Sequence, residues 1–129
     1  MNLIHDTELS LFTEVPEDKE LNILYDLNQQ NTPEVGELES INDLSKLIDM
    51  SAINFYVLAG DEIIGFVICF REGSEYKSPN YSYFKNKEDK FLYIDRVVIK
   101  DAYRRRGAGS YLYDHLHELA KKEGIPLCC

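Results

Sequence analysis

No stretch of this 129-residue chain is apolar for long enough to cross a bilayer; the longest run, Ile63 to Phe70, reads as a buried strand. The opening residues Met1-Asn2-Leu3-Ile4-His5-Asp6 lack a basic region followed by an apolar run, so no signal peptide is expected. Cysteine is scarce. Cys69, Cys128 and Cys129 are odd in number and lack metal-ligand spacing, which suits a reducing compartment, so a cytoplasmic location is expected. The vicinal pair is expected to pack at the start of a strand rather than to react. There is no internal repeat and no low-complexity tract. What remains, 44% hydrophobic and 29% charged, is the composition of a soluble globular protein, with enough chain for one domain and one core.

The net charge of −9 is unevenly spread. Residues 1–90 carry 7 basic and 18 acidic side chains, whereas residues 91–129 carry 7 basic and 5 acidic. An acidic body disfavours nucleic acid as a partner. A small basic island within it suggests a local site for an anionic ligand.

Pro16-Glu17-Asp18 opens a helix, with proline in the first turn and acids at the positive end of the dipole. Leu21, Leu24, Tyr25 and Leu27 give it an apolar face as far as about Asn31. A second helix is predicted from a capping Ser40, with Asp43 three residues on and Ile41, Leu44, Leu47 and Ile48 as its stripe. Residues 54–59 and 62–70, rich in β-branched and aromatic side chains, flank Gly60-Asp61 and predict a hairpin. Residues 71–90 read as a long polar loop holding at most a short piece of structure. Its Tyr76, Tyr81, Tyr83 and Phe84 either fasten it to the body or line a substrate mouth. Phe91 to Ile99 is the next strand, and a helix runs from about Gly107 to Glu123, ended by Gly124. Residues 125–129 look like the beginning of a further strand.

The chemistry is concentrated between Val97 and Ser110: a strand, a tight turn with Arg104, Arg105 and Arg106, then Gly107, Ala108 and Gly109 opening a helix. The first turn of a helix leaves backbone N–H groups unpaired and presents partial positive charge. Glycines let a phosphate approach those donors, and arginines add full charge and forked donors. Other phosphate loops fit worse. A Walker loop needs a lysine that is absent between Lys100 and Lys121, and a dinucleotide fingerprint begun at Gly107 needs glycine where Leu112 stands. His115 and His117 lie two apart on a helix, on different faces, and make no metal site.

In this order of elements the chain resembles the GNAT superfamily of acyltransferases. Their signature, Arg/Gln-x-x-Gly-x-Gly/Ala between an apolar strand and a helix, reads here as Arg104-Arg105-Arg106-Gly107-Ala108-Gly109 after Val97-Val98-Ile99. The resemblance implies one α/β (α+β) domain over residues 1–129, with a mixed, mainly antiparallel sheet flanked by helices. It implies acetyl-CoA as acyl donor, no metal, and a small-molecule or peptide amine as acceptor. Carried over by position, Arg104, Arg105, Arg106, Gly107, Ala108 and Gly109 would hold the donor's pyrophosphate, the Ser110 hydroxyl would add a further donor, and the backbones of Val97 and Ile99 would bind the pantetheine arm.

The acceptor amine must be neutral to attack, and at pH 7 a lysine-like amine is neutral only about once in a few thousand molecules. A general base is therefore needed. Asp95 is the candidate, because a carboxylate in a mainly apolar strand is expensive unless used or paired. The alternative for it is an ion pair involving Arg96. Tyr93, two residues away and on the same face if the pleat is regular, either positions the acceptor or packs.

The family fold is expected to continue past residue 129, so the chain reads as incomplete at its C-terminus, cut soon after the strand at 125–129 begins. That strand is expected to lie parallel to the Phe91–Ile99 strand through a right-handed crossover. Without successors its edge is exposed, and a homodimer could cover it. A non-catalytic acyl-CoA-binding or assembly module built on the same turn is the alternative to an enzyme, and a purely structural fragment is a third possibility.

Overall fold

The computed structural model describes residues 16–33, 35–104 and 107–129 together with the backbone of Thr7–Leu11. In chain order the elements are β1 (Thr7–Leu11), α1 (Asp18–Gln30), α2 (Ile41–Met50), β2 (Ile53–Ala59), β3 (Glu62–Arg71), α3 (Pro79–Lys87), β4 (Leu92–Ile99), a 3₁₀ turn at Asp101–Tyr103, α4 (Ala108–Glu123) and β5 (Leu127–Cys128). Among the described residues the sheet has five strands in the order β1-β2-β3-β4-β5. The first four are antiparallel neighbours, and β5 runs parallel to β4, as the helical crossover requires. No helix among the described residues is long and apolar enough to cross a membrane.

The two faces of the sheet carry separate cores. On one, Phe66, Ile68, Phe70, Tyr93 and Val98 pack with Leu21, Leu24 and Leu27 of α1 and Leu44, Leu47 and Ile48 of α2. On the other, Val67, Cys69, Leu92, Ile94 and Ile99 pack with Ala108, Leu112, Leu116 and Ala120 of α4. The i, i+4 spacing of that α4 stripe is why one helix suffices to cover its face.

Two predicted helix caps are present. The Ser40 hydroxyl accepts from the Asp43 N–H at 3.3 Å, and Gly124 ends α4 in the left-handed region at φ +67. Two elements differ from the sequence reading. Residues 79–87, read as loop, form α3: the Ser78 hydroxyl accepts from the Tyr81 N–H, Pro79 occupies the first turn, and Lys85 and Lys87 sit at the C-terminal end. Its only buried residue is Tyr81, so hydrophobic periodicity could not reveal it; the Ser-Pro pair was the usable signal. The edge strand β1, five residues paired with β2, was not anticipated at all.

The aromatic residues of 71–90 mainly fasten that segment. Tyr81 is fully buried and donates to the Arg71 carbonyl at 2.7 Å; Tyr76 stacks on Phe70 with ring centroids 4.2 Å apart; Phe84 packs on Tyr93.

Candidate active site

The anion turn is built by the end of β4 and the start of α4. Lys100 N–H donates to the Ile64 carbonyl at 2.6 Å, closing the β3–β4 ladder. The chain then makes its 3₁₀ turn, and Gly107 caps α4 with φ +82, a conformation that disfavours any residue with a Cβ. The first intrahelical bond runs from Tyr111 N–H to the Gly107 carbonyl at 3.0 Å. The N–H groups of Ala108, Gly109 and Ser110 therefore have no helical acceptor, which is the condition for an anion site. Gly107, Gly109, the exposed Ser110, Tyr113 and Arg104 line an open depression of 590 Å³ there. Gly109 stands in the first turn of α4. A Cβ on it would lie 3.6 Å from the Ile99 side chain, an ordinary contact directed at the sheet.

Arg104 spends part of its donor set on the protein. Its Nη2 donates to the Asn31 amide oxygen at the end of α1, its Nε reaches the Ile99 carbonyl at 3.4 Å, and Asp101 lies 3.6 Å from Nη1. It thus joins α1, β4 and the turn while its side chain stays 39% exposed toward the depression. Arg105 and Arg106 lie outside the described residues.

The register shows what β4 offers along its other edge. The Lys100–Ile64 bond makes 64/100 a hydrogen-bonded pair, and alternation gives Phe66/Val98 the same character. Val97 and Ile99, opposite Val67 and Gly65, fall in the intervening pairs, so their backbone N–H and C=O groups point away from β3. On that side β5 pairs only with Leu92 and Tyr93. Beyond Tyr93 this edge of β4 has no strand neighbour among the described residues, and the open edge leads to the turn at Arg104. Gly65 is needed for the closeness of β3 to β4, because a Cβ there would lie 2.4 Å from the Val98 carbonyl oxygen.

Asp95 sits at an irregularity in β4. Ile68 is opposite Arg96 and Cys69 opposite Ile94, leaving Asp95 as the extra residue of a β-bulge. The pleat between Tyr93 and Asp95 is therefore not regular, contrary to the premise on which the two were placed together. The Asp95 side chain is 5% exposed, and each of its oxygens is engaged. Tyr76 Oη donates to Oδ1 at 2.6 Å, and Arg96 Nε donates to Oδ2 at 2.8 Å. Arg96, itself buried, donates through Nη1 to the Asn28 amide oxygen at 2.7 Å and the Gly36 carbonyl at 3.1 Å. The anticipated ion pair with Arg96 is present, embedded in a network that ties the bulge to α1 and to the 36–38 segment. Burial first, and then the hydrogen bond to Asp95, hold the Tyr76 phenol above the usual tyrosine range. Tyr93 is 3% exposed and packs among Tyr81 and Phe84.

Sequence reasoning overlooked Asn28. A polar residue one turn after Leu24 on the apolar face of α1 was the available signal, and it is fully buried against Arg96. Beside this network lies a 520 Å³ groove lined by residues that include Glu37, Leu38, Asp43, Glu75, Tyr76 and Arg96, between the 37–39 segment, α2 and the residues before α3. His115 meets Phe55 edge to face at 5.5 Å, His117 is exposed, and no group of three or more metal-ligating side chains occurs among the described residues.

A mainly antiparallel sheet with an open β4 edge leading to a glycine-capped helix defines a class: a mixed α+β fold in which an unpaired strand edge runs toward the unpaired N–H groups of a helix start. Comparison with known proteins narrows it. Residues 20–128 match the sequence profile of the Acetyltransferase (GNAT) family. No sequence among curated proteins matches the chain. Among solved structures, a ribosomal-protein-alanine N-acetyltransferase from Brucella melitensis biovar Abortus 2308 is similar at TM-score 0.64 and 16% identity, over 95% of this chain and 77% of the other. An aminoglycoside acetyltransferase from an uncultured soil metagenomic sample is similar at TM-score 0.62 and 14% identity, over 97% and 77%. An acetyltransferase from Trypanosoma brucei is similar at TM-score 0.62 and 18% identity, over 95% and 80%. The chain belongs to the GNAT acetyltransferase family, and is by that membership an N-acetyltransferase.

Proposed function

We propose that the chain transfers an acetyl group from acetyl-CoA to a primary amine by direct attack of the amine on the thioester. In this reading the free N–H groups of Ala108, Gly109 and Ser110, with Arg104 and the flanking Arg105 and Arg106, bind the diphosphate of the donor. The outward backbone groups of Val97 and Ile99 bind the pantetheine arm. A β4 N–H aimed at the thioester carbonyl stabilises the charge that develops on its oxygen, an effect whose loss typically costs about 10²–10³ in rate. Asp95 takes the proton that the ammonium gives up before attack; the N–C bond then forms as the C–S bond breaks, and the leaving thiolate takes the proton the nitrogen sheds on becoming an amide. For Tyr93, its burial supports the packing role over contact with the acceptor.

The observation that carries this reading is the meeting of two donor sets. The open β4 edge at Val97 and Ile99 runs toward the α4 N-terminus, where a Cβ added at Gly109 would lie only 3.6 Å from the Ile99 side chain. An extended molecule with a diphosphate at one end fits that path. The similar structures include enzymes named for an aminoglycoside and for a ribosomal-protein alanine, so the acceptor is proposed as a primary amine of either kind. The test is calorimetric titration of acetyl-CoA together with thioester consumption over a panel of amines. Binding with turnover supports the enzyme, binding without turnover supports an acyl-CoA-binding module, and the absence of binding refutes both.

A further inference from the structure

The groove beside the bulge is lined by a different residue from the one expected to take the proton. Tyr76 and Arg96 line it, whereas Asp95 stands behind them with both carboxylate oxygens already accepting hydrogen bonds. The hydrogen bond from Tyr76 Oη to Asp95 Oδ1, 2.6 Å long, offers a proton a direct path from a groove-lining residue to that carboxylate. On the basis of the function proposed above, we propose that Tyr76 is the catalytic residue that receives the acceptor amine's proton, handing its own hydroxyl proton to Asp95.

The step balances without any further reagent. An ammonium N–H bond breaks and the proton joins Tyr76 Oη; the original Tyr76 O–H bond breaks and that proton joins Asp95 Oδ1. An ammonium and a carboxylate become a free amine and a carboxylic acid, and the phenol ends as it began. Tyr76 is a neutral phenol at physiological pH, held so by burial and by its bond to Asp95; the Ser78 side chain also bonds to it, which leaves one lone pair of the hydroxyl oxygen to accept an ammonium N–H. The surroundings hold that geometry. The Tyr76 ring stacks on Phe70, interplanar angle 8°, and its N–H donates to the Ser74 hydroxyl. Ser74 N–H in turn donates to the buried Tyr81 hydroxyl. On the other side Asn28 and Gly36 hold Arg96, and Arg96 holds Asp95 Oδ2.

A relay of this kind matters only when the amine arrives protonated, which separates it from a structural role. Tyr76→Phe keeps the ring stack and removes the relay atom. The experiment measures kcat/KM in the full chain for an alkylamine acceptor and for its β,β,β-trifluorinated counterpart, which is mainly neutral at assay pH, with acetyl-CoA binding measured on the same samples. The expected result for Tyr76→Phe is a loss of about 10²-fold or more on the alkylamine, a loss of less than about 10-fold on the fluorinated amine, and unchanged acetyl-CoA affinity. Asp95→Asn should show the same pattern, and the double variant should be no worse than the poorer single one, because the two residues act as a unit. Equal losses on both amines, or full activity of Tyr76→Phe on the alkylamine, overturn the relay and leave the function standing. A wild-type protein that binds no acetyl-CoA or consumes no thioester overturns the function, and the relay with it.

Discussion

Arg96→Met is the perturbation with the largest expected effect on folding. Methionine keeps most of the buried stem volume of Arg96 but removes the cation that serves three acceptors: Asp95 Oδ2, Asn28 Oδ1 and the Gly36 carbonyl. The Asp95 side chain, 5% exposed, then keeps only its bond to Tyr76. Breaking a buried pair from one side costs about 3–5 kcal/mol, because the remaining charge is left without its partner. With a urea dependence of about 2 kcal/mol per molar for a domain of this size, a loss of about 4 kcal/mol moves the unfolding midpoint down by about 2 M. The assay is urea unfolding at pH 7 followed by far-ultraviolet circular dichroism. Adding Asp95→Asn to Arg96→Met should restore part of the loss, since the uncompensated charge is gone. A shift below about 0.5 M for Arg96→Met, or strict additivity in the double variant, would refute the view of this network as a buried clamp between β4 and α1.

The two glycines of the turn should behave differently. Gly107→Val forces a β-branched residue into φ +82 at a cost above about 1–2 kcal/mol and should abolish acetyl-CoA binding. Gly109→Ala, whose methyl meets Ile99 at an ordinary distance, should leave both stability and binding nearly intact by thermal melting and calorimetry. Alkaline titration tests Tyr76. Its folded pKa lies above the unfolded one, so its contribution to stability is complete below about pH 10 and is lost as pH rises toward the folded value. Tyr76→Phe should therefore destabilise less steeply than the wild type above about pH 10 in denaturant midpoints measured across that range. Thiol labelling with iodoacetamide at pH 8 should modify the exposed Cys129 in the native protein. Cys69, fully buried and with its thiol pushed up to about 12 by burial and the Asp95 charge, should react only in urea, whereas native labelling would contradict the packing of β3 against α4.

How far the sequence foretold this molecule depended on the kind of signal each element carries. Elements with a strong period or a side-chain cap were legible: α1 and α2 through their leucines and Ser40, β3 through its apolar run, and α4 through Leu112, Leu116 and Ala120. The turn at Gly107 was legible because backbone chemistry demands a residue without Cβ there. The helix α3 escaped because it buries one tyrosine and leans on a local Ser78–Pro79 start, and β1 escaped because five residues on a sheet edge leave little pattern. Asp95 could be singled out as a charge in an apolar strand, but its setting could not. The bulge that isolates it depends on the register between β3 and β4, and its partners Tyr76 and, through Arg96, Asn28 lie 19 and 67 residues away in the chain. Long-range partnerships of this sort have no local signature; only the fold brings them together.

Amide chemical shifts followed by nuclear magnetic resonance while acetyl-CoA is titrated into the full chain test the account at its base. The account predicts saturable changes concentrated at Gly107, Ala108, Gly109 and Ser110, with Val97 and Ile99 next. A titration that leaves those amides unmoved, or that moves a cluster elsewhere in the protein, contradicts it.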